Sequence, residues 1–254
     1  MDFKEIYNSQ KDRVLTGFSM LAFGILIAFV DNLFVTWSVL GVVYLFAFYE
    51  AMKLFKVEDN KLYVYAVFIW LIALFFPNPD DLIFIVLILS LAIMAHRKEV
   101  NYSVLAPLFY PSISMLFLLS LYKDFGMGVL IWLVVVVALT DTGAYFVGKS
   151  IGKTPFSPTS PNKTWEGCIG GVVISSVVGT ILGLLYVDFT LSLFISFFVA
   201  LSSIWGDLFE SYLKREAGVK DSGNLFPGHG GMLDRLDGYL FASVIMVILL
   251  RGLA

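Results

Sequence analysis

Charge is scarce in this chain. Only 15% of its 254 residues are Asp, Glu, Lys or Arg, while 59% are hydrophobic. A soluble globular domain carries about 25% charged and about 45–50% apolar residues. This scarcity, with a mean hydropathy of +0.86, excludes an ordinary soluble domain. Cys168 is the sole cysteine, so no intrachain disulfide can form. Its apolar, glycine-rich surroundings suit a small packing residue rather than a nucleophile. The two histidines, His96 and His229, are too few for a histidine-based zinc centre. Strict apolar–polar alternation of the kind that builds membrane β-barrels is missing, as are internal repeats, low-complexity tracts and flexible linkers. The polar start, MDFKEIYNSQKDR, leads into an apolar run without a small-residue cleavage site. A retained first span is therefore expected, not a cleaved signal peptide.

Long apolar runs are what the chain has in abundance. A membrane-crossing helix needs about 20 such residues. Runs of suitable character cover 14–30, 33–55, 62–76, 82–95, 104–121, 127–148, 167–187, 191–213 and 236–250. The expected fold is all-α, a polytopic integral membrane protein of about nine transmembrane helices. Pro107 and Pro111 predict a kink or a broken entry in the fifth run. The distribution of basic residues tests the layout, because cytoplasmic loops collect Lys and Arg. With a cytoplasmic N-terminus, the inner segments hold Lys4, Lys11, Arg13, Lys53, Lys56, Lys61, Arg97, Lys98, Lys149, Lys153, Lys163, Lys214, Arg215, Lys220 and Arg235. Only Lys123 and Arg251 fall outside, so the expected C-terminus is external. A coarse boundary falls near Lys123-Asp124. Residues 1–122 read as a scaffold with lipid access, and residues 123–254 hold the candidate chemistry.

That chemistry has three parts. Asp141 sits inside the sixth run, where a carboxylate costs about 2.5–3.5 kcal/mol on insertion scales. Thr140, Thr142, Tyr145 and Lys149 extend its polar face. A helix–helix hydrogen bond is the plainer alternative. Asp207, Glu210, Ser211 and Lys214 recur at i, i+3, i+4 and i+7 on one helix face. A Glu210–Lys214 pair would account for two of them, but not for Asp207. The segment 211–237, SYLKREAGVKDSGNLFPGHGGMLDRLD, adds glycines able to turn tightly and present backbone N–H groups to an anion. Asp234 and Asp237 share one side if the chain is helical from Leu233. Facing carboxylates suit a divalent ion, and Lys214, Arg215, Lys220 and Arg235 supply positive charge. Together they form a pattern for a metal–phosphate substrate. SPNKTWEG at 160–167 lies on the same expected side. Its Lys163 is a candidate phosphate ligand, while Trp165 and Glu166 read equally well as an interfacial anchor and a helix N-terminal acid. Residues 143–150 satisfy the P-loop spacing, but at the end of a membrane helix and not after a strand.

The segment 211–237 resembles the signature of the phosphatidate cytidylyltransferase (CDP-diacylglycerol synthase) family. That signature runs S-x-[apolar]-K-R, four residues, K-D, a small residue, then [LIF]-[PG]-x-H-G-G-[apolar]-x-D-R-[apolar]-D. Ser211, Lys214-Arg215, Lys220-Asp221, Gly223, Phe226-Pro227, His229-Gly230-Gly231, Asp234-Arg235 and Asp237 fill every fixed position. SPNKTWEG resembles a second motif of the family. The resemblance implies a nucleotidyltransferase that makes CDP-diacylglycerol and diphosphate from CTP and phosphatidate. It implies Mg²⁺, with room for a second cation, while the distribution of basic residues gives a cytoplasm-facing site, expected in the inner membrane. Asp207, Asp234 and Asp237 would bind metal, with Asp141 as a further candidate. Lys214, Arg215, Lys220, Arg235 and Lys163 would bind phosphates, Asp221 would orient Lys220, and Ser211, Gly230 and Gly231 would contact substrate. His229 joins this set by shaping the glycine loop or holding phosphate. A general base is unnecessary there, because a phosphomonoester is already ionised near neutral pH, its second pKa being about 6.

Membrane lipids are the other implied partner, and nucleic acid is not. The glycine-rich spans are compatible with a homodimer. CDP-alcohol phosphotransferases, which use G-x₃-D-x₃-D, fit badly because two residues separate Asp234 from Asp237. A transporter would carry charges along a path to both faces, and the outer ends of these runs carry almost none.

Overall fold

The computed structural model describes residues 3–98, 104–228 and 230–253, with side chains from Leu15 onward except Arg97. Its helices are α1 (Phe3–Val30), α2 (Leu33–Leu54), α3 (Lys61–Phe75), α4 (Leu82–Arg97), α5 (Leu105–Ile151), α6 (Trp165–Gly183), α7 (Phe189–Ala217) and α8 (Leu233–Leu253). Six helical segments among the described residues are long and apolar enough to cross a membrane: those beginning at Leu33, Pro79, Leu105, Trp165, Phe189 and Leu233. Leu15–Val30 and Lys61–Phe75 are shorter apolar helices. Large apolar side chains face outward along the bundle, with Phe29 88% and Phe75 84% exposed. An all-α protein with this surface is built for a lipid environment, because water would penalise so large an apolar area.

The fifth and sixth apolar runs form one helix of 47 residues, α5. Straight, it would extend about 70 Å, more than twice a hydrocarbon core of about 30 Å. Gly126 divides it, with φ 81° and ψ 179°, a conformation open to glycine because it lacks Cβ. The break therefore falls at Gly126 and not at the prolines, where a kink was expected. Pro107 lies in the first turn, which has no intrahelical N–H bonds to lose. Pro111 leaves only the Pro107 carbonyl without its helical donor.

Polar residues cap the starts of α2 and α7. Asn32 accepts from the amides of Phe34 and Val35 at 3.0 and 3.2 Å, and Asp188 accepts from Thr190 and Leu191 at 2.9 and 3.1 Å. Both satisfy N–H groups that the first turn leaves open. The core around Trp132, Leu133, Val136, Ile195, Val199 and Met246 is threaded by serine and threonine bonds. Thr140 Oγ1 donates to Ser175 Oγ at 2.8 Å, and Trp132 Nε1 donates to Ser196 Oγ at 3.2 Å. The glycine stripe of α6 is used within the chain. A Cβ on Gly171 would run into α5 at Thr140 and Ala144, so this face brings two helices of one chain together.

One departure from an all-helical reading is a small antiparallel hairpin, β1 (Pro155–Ser157) and β2 (Ser160–Thr164). Helix ends then converge. The C-terminal parts of α5 and α7 meet the hairpin and the start of α6, and that of α2 meets the start of α8, at one end of the bundle. The opposite end is tied by Arg251, which contacts Asp80 at 2.6 Å and Asp124 at 2.7 Å.

Candidate active site

The glycine loop between α7 and α8 is held by two buried carboxylates. Gly218, with φ 77°, ends α7 in the left-handed conformation, and Gly230, with φ 82°, turns the chain back toward α8. Asp234 lies in the first turn of α8. Its Oδ1 accepts from Lys214 Nζ at 2.7 Å. Its Oδ2 accepts from the amide and hydroxyl of Ser222 at 2.8 and 2.9 Å, and from the Gly231 amide at 2.8 Å. Glu50, from α2, completes the frame. It accepts from the amides of Met232 and Leu233 at 2.9 and 2.8 Å, and from Ser222 Oγ at 2.8 Å. Charge-assisted bonds of this kind are about twice as strong as neutral ones. A Cβ on Gly231 would enter the space of Glu50 and Ser222, so that site takes no side chain.

Beside this frame is a cavity of about 670 Å³, into whose lining Asp141, Tyr145, Lys149, Asn162, Lys163 and Asp207 bring polar groups. The hairpin delivers Lys163, whose ammonium pairs directly with the Asp207 carboxylate. Ser211 Oγ donates to the other oxygen of Asp207 at 3.3 Å. Burial works against the Lys163 charge, but attraction to Asp207 prevails and raises its pKa above the ordinary lysine value. Glu166 settles a question the sequence left open. It accepts from the amides of Lys153 and Thr154, and from the Thr154 hydroxyl at 2.8 Å, so it stitches the hairpin to the start of α6. Trp165 packs edge-on to Phe156 at 4.8 Å.

Asp141, Asp207 and Asp237 lie close enough to act on one another electrostatically. Gly206 assists: its missing Cβ leaves room for the Asp237 backbone, bringing α7 and α8 together. Three hard oxygen donors near one cavity have the chemistry a magnesium ion prefers. Among the described residues, however, no three His, Cys, Asp or Glu side chains stand ready to hold an ion, and Lys163 is the cation on Asp207. Asp234, expected among the metal ligands, has both oxygens engaged by Lys214, Ser222 and Gly231.

The remaining expected residues differ in their exposure. Lys214 is buried, 3.2 Å from Glu210 and 2.7 Å from Asp234. The Glu210–Lys214 pair weighed from the spacing is thus present, and Lys214 reaches beyond it. Arg215 is exposed and donates to the Val219 carbonyl at 3.1 Å. Lys220, Asp221 and Arg235 are exposed. His229 lies outside the described residues. Residues 143–150 are continuous helix, which excludes a phosphate-cradling loop there. Cys168 is buried and free.

Glu50 is the residue the sequence reading passed over. It was visible as a lone acid near the end of an apolar run, the same signal that singled out Asp141.

The sequence matches the cytidylyltransferase family over residues 11–253. A phosphatidate cytidylyltransferase of Helicobacter pylori is 45% identical over 244 residues, spanning 95% of this chain and 92% of that protein. One from Thermotoga maritima is 34% identical over 265 residues, spanning 95% and 96%. One from Bacillus subtilis is 47% identical over 131 residues, about half of each chain.

Proposed function

The chain belongs to the cytidylyltransferase family, and on that premise we propose that it is a phosphatidate cytidylyltransferase. A phosphate oxygen of phosphatidate attacks the α-phosphorus of CTP. The bond from that phosphorus to the β-phosphate oxygen breaks, and diphosphate leaves with the electron pair. The products are CDP-diacylglycerol and diphosphate. The observation that carries this reading is the meeting of two distant motifs: Lys163 of the hairpin pairs with Asp207, which also accepts from Ser211 at the start of the 211–237 signature.

All the reacting groups are anionic, so the protein's work is charge neutralisation and alignment. Lys163 and Lys149 line the cavity and would face the nucleotide phosphates. The exposed Lys220 and Arg235 would draw in CTP. Lys214 acts through the loop by fixing Asp234. Asp207, Asp237 and Asp141 would hold magnesium, which neutralises developing charge on phosphate oxygens when bound. Lys163 would then exchange Asp207 for a substrate phosphate.

We read nine crossings, with Gly126 dividing α5 into two and both shorter apolar helices completing short spans. The N-terminus and the site face the cytoplasm, where CTP is found. The segregation of basic residues supports this orientation. A reporter fused after Ala254 that is active only in the cytoplasm would overturn it.

The test is diphosphate release in mixed micelles by purified protein. Release should require CTP, phosphatidate and magnesium together, and should fall at least about 100-fold in Asp237→Asn. Release without lipid, or none in several detergents, would reject the reading.

A further inference from the structure

An apolar cavity of about 350 Å³ lies between the first part of α5, α7 and α8, and Tyr110, Phe198, Trp205, Phe241 and Ile245 are among its lining residues. Trp205 and Phe198 are also exposed on the outer face of the bundle, so the cavity communicates with the lipid-facing surface. Tyr110 belongs to the half of the chain read as scaffold. Its ring packs edge-on to Phe209 at 5.3 Å and to Phe55 at 6.3 Å. Its hydroxyl is buried and has no hydrogen-bond partner among the described residues. The carboxylates of Glu210, Asp237, Asp207 and Asp234 all lie within electrostatic reach of that hydroxyl. Glu210 is itself fully buried, with the Lys214 ammonium 3.2 Å from one of its carboxylate oxygens. Tyr110 therefore stands where an apolar groove meets the charged site, with a free donor at the junction.

A buried hydroxyl without a partner costs about 1–3 kcal/mol. Buried polar groups are ordinarily bonded, so an orphan at such a junction calls for a ligand atom. The ligand needs an apolar tail for the groove and an oxygen acceptor where the tail ends. It must also reach the groove from the bilayer. A diacyl glycerophospholipid meets all three demands, and water meets only one. We propose that Tyr110 is a binding residue for the lipid substrate: its hydroxyl donates to an oxygen of the glycerol-phosphate end while one acyl chain occupies the groove. This inference rests on the activity proposed above and assigns the lipid half of the site. Tyr110 then fixes how far the lipid phosphate projects toward the cavity at Lys163.

Two variants test it. In Tyr110→Phe, the KM for phosphatidate, measured as mole fraction in mixed micelles, should rise about 3- to 10-fold, the loss of one hydrogen bond. The KM for CTP should stay within twofold, and the thermal midpoint of the lipid-free protein should be equal or higher, because an unsatisfied hydroxyl has been removed. A purely structural Tyr110 would lower the midpoint and leave the phosphatidate KM unchanged. In Val244→Trp, which fills the groove, turnover of a dioleoyl phosphatidate should fall while turnover of a dihexanoyl phosphatidate is retained. Equal loss on both lipids, or an unchanged phosphatidate KM in Tyr110→Phe, overturns the assignment and leaves the cytidylyltransferase reading intact. Wild-type protein with no lipid-dependent diphosphate release would remove both.

Discussion

Glu50 and Ser222 are 172 positions apart in the chain and share a hydrogen bond of 2.8 Å. The same Ser222 hydroxyl lies 2.9 Å from Asp234, so one serine links an acid of the second helix to an acid of the last. The loop between α7 and α8 carries glycines at 218, 223, 228, 230 and 231, which leave its backbone free to take several forms. Its amides at Gly231, Met232 and Leu233 point at the two carboxylates, and the loop takes the form those acceptors impose.

Glu50→Gln should therefore behave as a site mutation although Glu50 is remote in sequence. An amide group cannot accept from two backbone N–H groups and a hydroxyl at once without turning its own NH₂ toward a donor. Diphosphate release should fall at least about 10-fold, with a loss of about 1–3 kcal/mol in stability for buried groups left unpaired. Kinetics and thermal unfolding in one detergent check this. Full activity in Glu50→Gln would show that the loop holds its form without α2.

Asp234→Asn should cost stability as well as activity. It leaves the buried Lys214 ammonium facing a neutral amide, and breaking a buried pair costs about 3–5 kcal/mol. Glu210, 3.2 Å from Lys214, keeps the loss toward the lower figure. Thermal unfolding without magnesium reads this effect. An unchanged midpoint with lost activity would instead assign Asp234 to metal binding.

Lys163 carries its charge across the working pH range. Its pKa is raised above the ordinary value of 10.5, the Asp207 attraction outweighing burial. The sign follows: the stability from this pair is fully present below the unfolded pKa and is lost only as pH rises through the folded one. From about pH 6 to 9, activity profiles of wild type and Lys163→Arg should have the same shape. An alkaline limb in the wild type that Lys163→Arg abolishes would contradict this, and Lys163→Met should lose most activity at every pH.

Arg251→Leu tests the far end of the bundle. Asp80 is buried and would keep only Ser120 as a side-chain partner, so stability should fall. Arg251 is 33% exposed in its side chain, so the loss should be about 2 kcal/mol, below the value for a fully buried pair. The KM values for CTP and phosphatidate should not change. A changed KM would mean that this ion cluster is coupled to the site at the other end.

Composition alone determined the environment of this protein. With 59% hydrophobic residues and little charge, the chain belongs in lipid, where only helices and closed barrels satisfy the backbone; the missing alternation leaves helices, and apolar run length then set roughly where they lie. The signature 211–237 and the motif around Lys163 named the chemistry because phosphate binding needs cations, glycines and acids in local clusters. Local sequence could not reveal which partner each charge would meet. Asp234 reads as a metal ligand by spacing, and folding brings Lys214 and Ser222 to the same carboxylate. Glu50 reads as a stray acid until α2 packs beside α8. Tyr110 reads as one aromatic among many until α5, α7 and α8 close around its hydroxyl. The α5 break falls at Gly126, where φ is 81°, and not at Pro111. Such pairings are decided by long-range packing, because a buried carboxylate or hydroxyl is assigned its role by whatever donor, acceptor or empty space the rest of the fold brings within about 3 Å.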